Sequence, residues 1–146
     1  EATAFGALII INRFEEYGVK ISEIINCGGI AEKNDLLMKI YADVTGREMK
    51  IARSAQTCAL GSAIAGAVAA GKARGGHDDF ESAQAAMCGI RTKTFKRDPG
   101  NHKIYQELYR LYARLHDAFG TRTWSGNLYP VMKELLALRD RQRKSW

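Results

Sequence analysis

Cysteine and histidine are scarce in this chain, three of each, and their placement removes whole classes of chemistry. Cys27, Cys58 and Cys88 lie far apart, and no pair has metal-ligand or Cys-x-x-Cys spacing. They read as small buried side chains of a protein kept in a reducing, cytoplasmic setting. His77, His102 and His116 form no i, i+4 pair, so each reads as a surface or capping residue. No serine or cysteine has the surroundings of a nucleophile elbow. A Walker-type glycine loop is missing, as is the full dinucleotide fingerprint. No apolar run is long enough to span a bilayer and no signal-peptide pattern opens the chain, so no membrane partner is expected. Zinc-finger spacing and basic strips interleaved with aromatics are also lacking. The formal net charge of +6 is therefore not read as nucleic-acid binding. Part of that excess sits in Arg139, Arg141, Arg143 and Lys144, which read as a solvated basic tail.

What is present fits one globular domain. The chain has 146 residues, 46% apolar and 26% charged, enough for a real core. It opens on Glu1-Ala2-Thr3-Ala4-Phe5, helix-like and without an initiator methionine, which reads as a piece of a longer protein. Residues 1 to 17 form a predicted helix. Its Leu8–Ile11 run is apolar on every side, which predicts burial all round. Gly18 is placed to stop it as a C′ residue. Residues 33 to 45 form the next predicted helix, ended by Gly46, and residues 48 to 52 a short alternating strand. Asp43, inside that otherwise apolar helix, reads as catalytic or, more simply, as a buried carboxylate hydrogen-bonded to nearby backbone.

Residues 57 to 70 are rich in alanine and glycine. Ser62, Gly66 and Ala70 share one helical face, as do Ala59, Ala63 and Ala67. Such side chains suit close packing against a sheet or beside a ligand. Asp78 and Glu81 have capping-box spacing for a helix through about Met87. Arg91 to Arg97 reads as extended. Asp98-Pro99 opens a helix to Phe119, and a last helix runs from Leu128 or Tyr129 to about Arg141. No internal repeat or low-complexity linker interrupts the chain.

The stretch that organises these elements is Ile24-Ile25-Asn26-Cys27-Gly28-Gly29-Ile30-Ala31-Glu32-Lys33-Asn34. An apolar run ends in paired glycines and a helix pattern follows, the strand–turn–helix grammar of an α/β protein. Glycine permits a sharp turn at positive φ and leaves room for something to lie against the backbone. The strands at residues 24–26 and 49–52 are predicted to be adjacent and parallel.

This stretch, with Leu36-Leu37-Met38, Tyr41-Ala42-Asp43-Val44-Thr45-Gly46 and Gln56-Thr57-Cys58-Ala59-Leu60-Gly61-Ser62-Ala63, resembles the C-terminal domain of the FGGY carbohydrate kinases. Within the family it looks most like the kinases of ketopentoses. The later Asn101-His102-x-x-Tyr105 and Val131-Met132-Lys133 segments also fit. The resemblance implies an α/β, ribonuclease-H-like (actin-like ATPase) C-terminal domain, partial, followed by C-terminal helices. Residues 1–90 would be the nucleotide-binding core and 91–146 an extended segment with the terminal helices. It implies ATP with Mg2+ in the intact enzyme, and phosphorylation of L-ribulose in L-arabinose catabolism. Gly28, Gly29, Lys33 and Asn34 would form the adenosine side of the nucleotide site. Residues 59–70 would connect two domains across a cleft. The general base, the phosphate loops and most of the sugar pocket are expected upstream of Glu1, so no catalytic or metal-binding residue is assigned here. The oligomeric state stays open, a homo-oligomer included. The alternative is a non-catalytic actin-like module that senses nucleotide or assembles.

Overall fold

The computed structural model describes residues 1–144. Helix α1, Ala2–Glu16, comes first. Strand β1, Ile24–Asn26, leads through helix α2, Gly29–Lys33, and helix α3, Asp35–Thr45, to strand β2, Met49–Ala52. Helix α4, Thr57–Ala70, a 3-10 turn at Lys72–Arg74 and helix α5, Phe80–Met87, precede strand β3, Ile90–Phe95. Helices α6, Pro99–Gly120, and α7, Tyr129–Lys144, close the chain. The α/β class is as expected. The sheet order is β1-β2-β3. β1 and β2 are adjacent and parallel, with Ile24 opposite Met49, while β3 runs antiparallel to β2.

The strand alternation sorts β2 by face. Met49 and Ile51 are buried with Ala31, Met38, Ala42 and Phe95 under α2 and α3. Burying a methionine, isoleucine or phenylalanine side chain contributes roughly 1.5–3 kcal/mol. A second cluster joins Ala4, Phe5 and Leu8 of α1 to Val44 of α3. Phe5 meets the rings of Tyr105, Tyr109 and Tyr112 on α6 at centroid distances of 6.2, 6.1 and 5.3 Å. Burial, with the hydrogen bond to Glu1, pushes the Tyr105 hydroxyl up to about 12.

Local chemistry accounts for the helix ends. Gly18 stands at φ +82°, its N–H reaches the Glu15 carbonyl and the Val19 N–H reaches that of Phe14, both at 2.9 Å. That is a complete Schellman motif. Gly46 ends α3 in the left-handed region, and a Cβ there would stand 2.7 Å from His102 Cε1. Asp98 caps α6 by accepting from the Gly100 and Asn101 N–H groups.

Several expectations are corrected. Helix α1 is not buried all round: Ala4, Phe5 and Leu8 are, but Ile10 is 59% exposed, because only one side of it meets α3 and α6. The helix predicted over 33–45 is α3 and starts two residues later, at Asp35; a separate short helix, α2, comes before it, parted from it at Asn34, whose φ of −124° and ψ of 83° are not helical. Asp79, not Asp78, caps α5, since the Asp78 carboxylate already accepts from the Lys72 N–H. All three cysteines are exposed. Cys27 follows a strand end, Cys58 lies on a helix that buries only Ile64, and Cys88 is the C-cap of α5. The basic C-terminal residues Arg139, Arg141, Arg143 and Lys144 are exposed, as expected of a solvated stretch, but helix α7 carries them to Lys144 and Arg141 pairs with Glu107.

Candidate functional site

The parallel strands end side by side, and Asn26 ties them: its Nδ2 donates to the Lys50 carbonyl at 3.2 Å and lies 3.3 Å from Met49 Sδ. Open α/β sheets bind ligands beyond such carboxyl ends. Here β1 passes through Cys27 into the glycine pair. Gly28 has φ +87° and ψ 168°, a region that side chains essentially exclude. Gly29 has no positive φ and is the first residue of α2. The pair therefore divides its work, with the backbone reversal at Gly28 alone. A Cβ at either glycine would meet nothing within 4 Å, so the turn presents an open, side-chain-free surface.

Lys33 and Asn34 follow within two turns. Asn34 is the hinge between α2 and α3, and its Oδ1 accepts from the Leu37 N–H at 3.0 Å. Its side chain thus already holds a helix start, and Nδ2 remains as the group free to meet a ligand. Lys33 is exposed, and its ammonium makes no hydrogen bond or ion pair among the described residues. It is a free cation beside the turn. The four residues singled out from the sequence thus lie on one short segment, Gly29, Lys33 and Asn34 exposed and Gly28 partly so.

Sequence reasoning missed the charged side chains around them. Arg91 and Lys93 lie on the face of β3 that also carries Phe95. Arg91 pairs with Glu32 of α2 and Lys93 with Asp35, the first residue of α3. The signal was available as like charges two apart in an extended segment, but their partners lie 59 and 58 residues away.

Asp43 is not at this surface. Its carboxylate is buried and accepts from the Asp98 N–H at 2.6 Å, Asn101 Nδ2 at 3.0 Å and Lys39 Nζ at 3.2 Å. That is a structural anchor for the start of α6. His102 Nδ1 meets the Asp43 carbonyl at 2.8 Å. A carbonyl only accepts, so that nitrogen carries the proton. On the other face of the sheet, a cleft of about 550 Å³ lies between β-strand residues Ile25, Ala52 and Ile90 and helix residues Leu60, Ile64 and Ala85. The small-residue helix α4 borders it, with most of that helix's small side chains exposed.

Comparison with known proteins gives a consistent result. Residues 1–70 match the FGGY family of carbohydrate kinases, C-terminal domain. The chain is 53% identical over 120 residues to a ribulokinase of Geobacillus thermodenitrificans, covering 82% of this chain and 21% of that protein. It is 48% identical over 145 residues to a ribulokinase of Bacillus licheniformis, covering 99% of this chain and 25% of that protein. A ribulokinase of Halalkalibacterium halodurans is 46% identical over 144 residues, with 99% and 25% coverage. The chain thus spans about a fifth to a quarter of the length of these curated relatives.

Proposed function

The chain belongs to the FGGY family of carbohydrate kinases, and from that premise we propose that it is the C-terminal, adenosine-binding part of an ATP-dependent kinase that phosphorylates the 5-hydroxyl of L-ribulose. The observation that carries the site assignment is the turn itself. Gly28 holds a conformation that needs glycine, Gly29 adds open space where the fold does not need glycine, and Lys33, exposed and without a charged partner among the described residues, ends the same short helix. Adenosine lies flat against backbone only where no Cβ intervenes. Lys33 supplies a cation and Asn34 Nδ2 a donor towards the nucleotide's polar atoms.

In this reading the domain is of the ribonuclease-H-like, actin-like ATPase class. Residues 1–90 form the nucleotide-binding core, and residues from 91 onward form the extended segment and terminal helices, 145 and 146 lying outside the described residues. Helix α4 faces a second domain across a cleft, where its small residues allow close approach. The ketopentose sits mainly on that second domain, and the setting is cytoplasmic. Phosphoryl transfer needs a positioned general base, phosphate-binding loops and magnesium together. The reading assigns the base and loops to other parts of the enzyme. Among the described residues no group of three or more His, Cys, Asp or Glu could hold a metal ion, and Mg2+ binds chiefly through the nucleotide's phosphates.

A coupled assay of L-ribulose-dependent ADP release tests this. The full-length protein is expected to turn over and the 146-residue chain alone to stay at blank. Turnover by the chain alone would refute the division of labour. A full-length protein without turnover would refute the kinase reading and leave a non-catalytic actin-like module.

A further inference from the structure

We infer that Arg91 is a positioning residue for the nucleotide, acting through Glu32 on the helix that carries the glycine turn; this rests on the adenosine-site reading above. Helix α2 has five residues, far too few to be stable by itself. It buries one side chain, Ala31. Ala31 packs in the core with Met49, Ile51 and Phe95 of the sheet, and among the described residues the one polar side-chain link of α2 to the sheet is the ion pair between Glu32 Oε1 and Arg91 Nη2, at side-chain exposures of 29% and 36%. Where α2 lies decides where Gly28 and Gly29 present their open surface. Helical continuity does not fix it, because Gly28 on one side and Asn34 on the other both depart from helical geometry.

Strand β3 is a firm place from which to hold it. On β2 it pairs Met49 with Phe95 and Lys50 with Thr94 at one end and Ala52 with Ile90 at the other, with a register shift in between where Arg91 and Lys93 lie, and Phe95 is in the core. Side chains two apart on that face then reach successive parts of the site. Arg91 takes α2, Lys93 takes the first residue of α3, and Phe95 packs beneath. Lys93 and Asp35 are each about 60% exposed, at 58% and 61%, where an ion pair is strongly screened. The Arg91–Glu32 pair is the better shielded of the two. Losing it frees α2 to shift on its Ala31 contact without opening the core.

The test is steady-state kinetics of the full-length kinase with Arg91→Gln, Glu32→Gln, the double variant, Arg91→Lys and the swap Arg91→Glu with Glu32→Arg. Each single neutral variant is expected to raise the ATP KM about two- to fivefold, the range of a partly shielded ion pair. The sugar KM, the kcat at saturating ATP and the melting temperature should stay as in the parent. The double variant should be no worse than either single one, and Arg91→Lys and the swap should recover most of the loss. A purely structural tie would instead lower the melting temperature and leave the ATP KM alone, which overturns the inference, as do additive effects in the double variant. Gly29→Val, measured beside these, separates the failures. If it raises the ATP KM and Arg91→Gln does not, Arg91 has no positioning role. If neither changes it, the adenosine-site reading falls and this inference falls with it.

Discussion

Substituting the two glycines one at a time separates what the fold needs from what the ligand needs. Gly28 sits at φ +87° and ψ 168°, and holding a side-chain-bearing residue there costs roughly 1–3 kcal/mol. Gly28→Ala should therefore destabilise by about that amount, although its Cβ would meet nothing within 4 Å. Gly29 has neither constraint: its φ is not positive and the space around it is empty. It is also the first residue of a helix, where replacing glycine restricts the unfolded chain and is neutral or stabilising by about 0.4–1 kcal/mol. Gly29→Val should leave the unfolding free energy within about 0.5 kcal/mol of the parent. If adenosine rests on this turn, the valine methyl groups occupy its place. The ATP KM should then rise at least about tenfold, equivalent to roughly 1.4 kcal/mol, with little change in the sugar KM. The assays are urea unfolding and steady-state kinetics on the same full-length variants. A folded Gly29→Val enzyme with an unchanged ATP KM would remove the adenosine floor from this turn. The pair would then be a turn in which Gly28 alone has a reason to be glycine.

Two further predictions concern the start of α6. Asp43→Ala leaves the Asp98 N–H and the Asn101 amide without their buried acceptor, and should destabilise the chain by at least about 2 kcal/mol in urea; a change within error would mean that water replaces the carboxylate at no cost. The Asp98 carboxyl is held below its ordinary pKa by the Asn101 N–H first, then by that of Gly100. A depressed folded-state pKa stabilises above the unfolded value near 3.9 and is lost as pH falls through the folded one. Asp98→Asn keeps a capping side chain but cannot titrate, so melting temperature followed from pH 6 downwards should fall less steeply below about pH 4 than in the parent. Parallel curves would show that the cap does not contribute to the acid limb.

The elements that could be read in advance are those whose cause is local. Gly18 and Gly46 end helices because their own backbones take positive φ. Asp98-Pro99 opens one because a carboxylate and a fixed φ act within three residues. The alternation of Met49 and Ile51 against Lys50 and Ala52 sorts a strand into two faces. Where two local signals compete, sequence alone does not choose. Asp78 and Asp79 are adjacent and equally able to cap, and the choice falls to Asp79 because Lys72, six residues before Asp78, claims the other carboxylate. The break at Asn34 is of the same kind. Glu32-Lys33-Asn34-Asp35 is compatible with an unbroken helix, and α2 is turned away from α3 by its Ala31 contact with the core and its tie to β3.

Burial was the least legible property, because it depends on which elements meet. The apolar run of α1 and the three cysteines both predicted interior positions. Exposure of Ile10, Phe14 and Cys58 follows from the placement of α3, α5 and α6 on one side only of the helices that carry them. The candidate site joins the two kinds of cause. The paired glycines and the helix after them are local and were visible as a motif. The orientation of that turn is not local: it needs the parallel register of β1 on β2, the antiparallel return of β3, and an arginine 59 residues from its glutamate. A motif can therefore say that backbone is bare at Gly28 and Gly29. Which way the bare surface faces is a property of the sheet, and the charged face of β3 is the part of the sheet that reaches it.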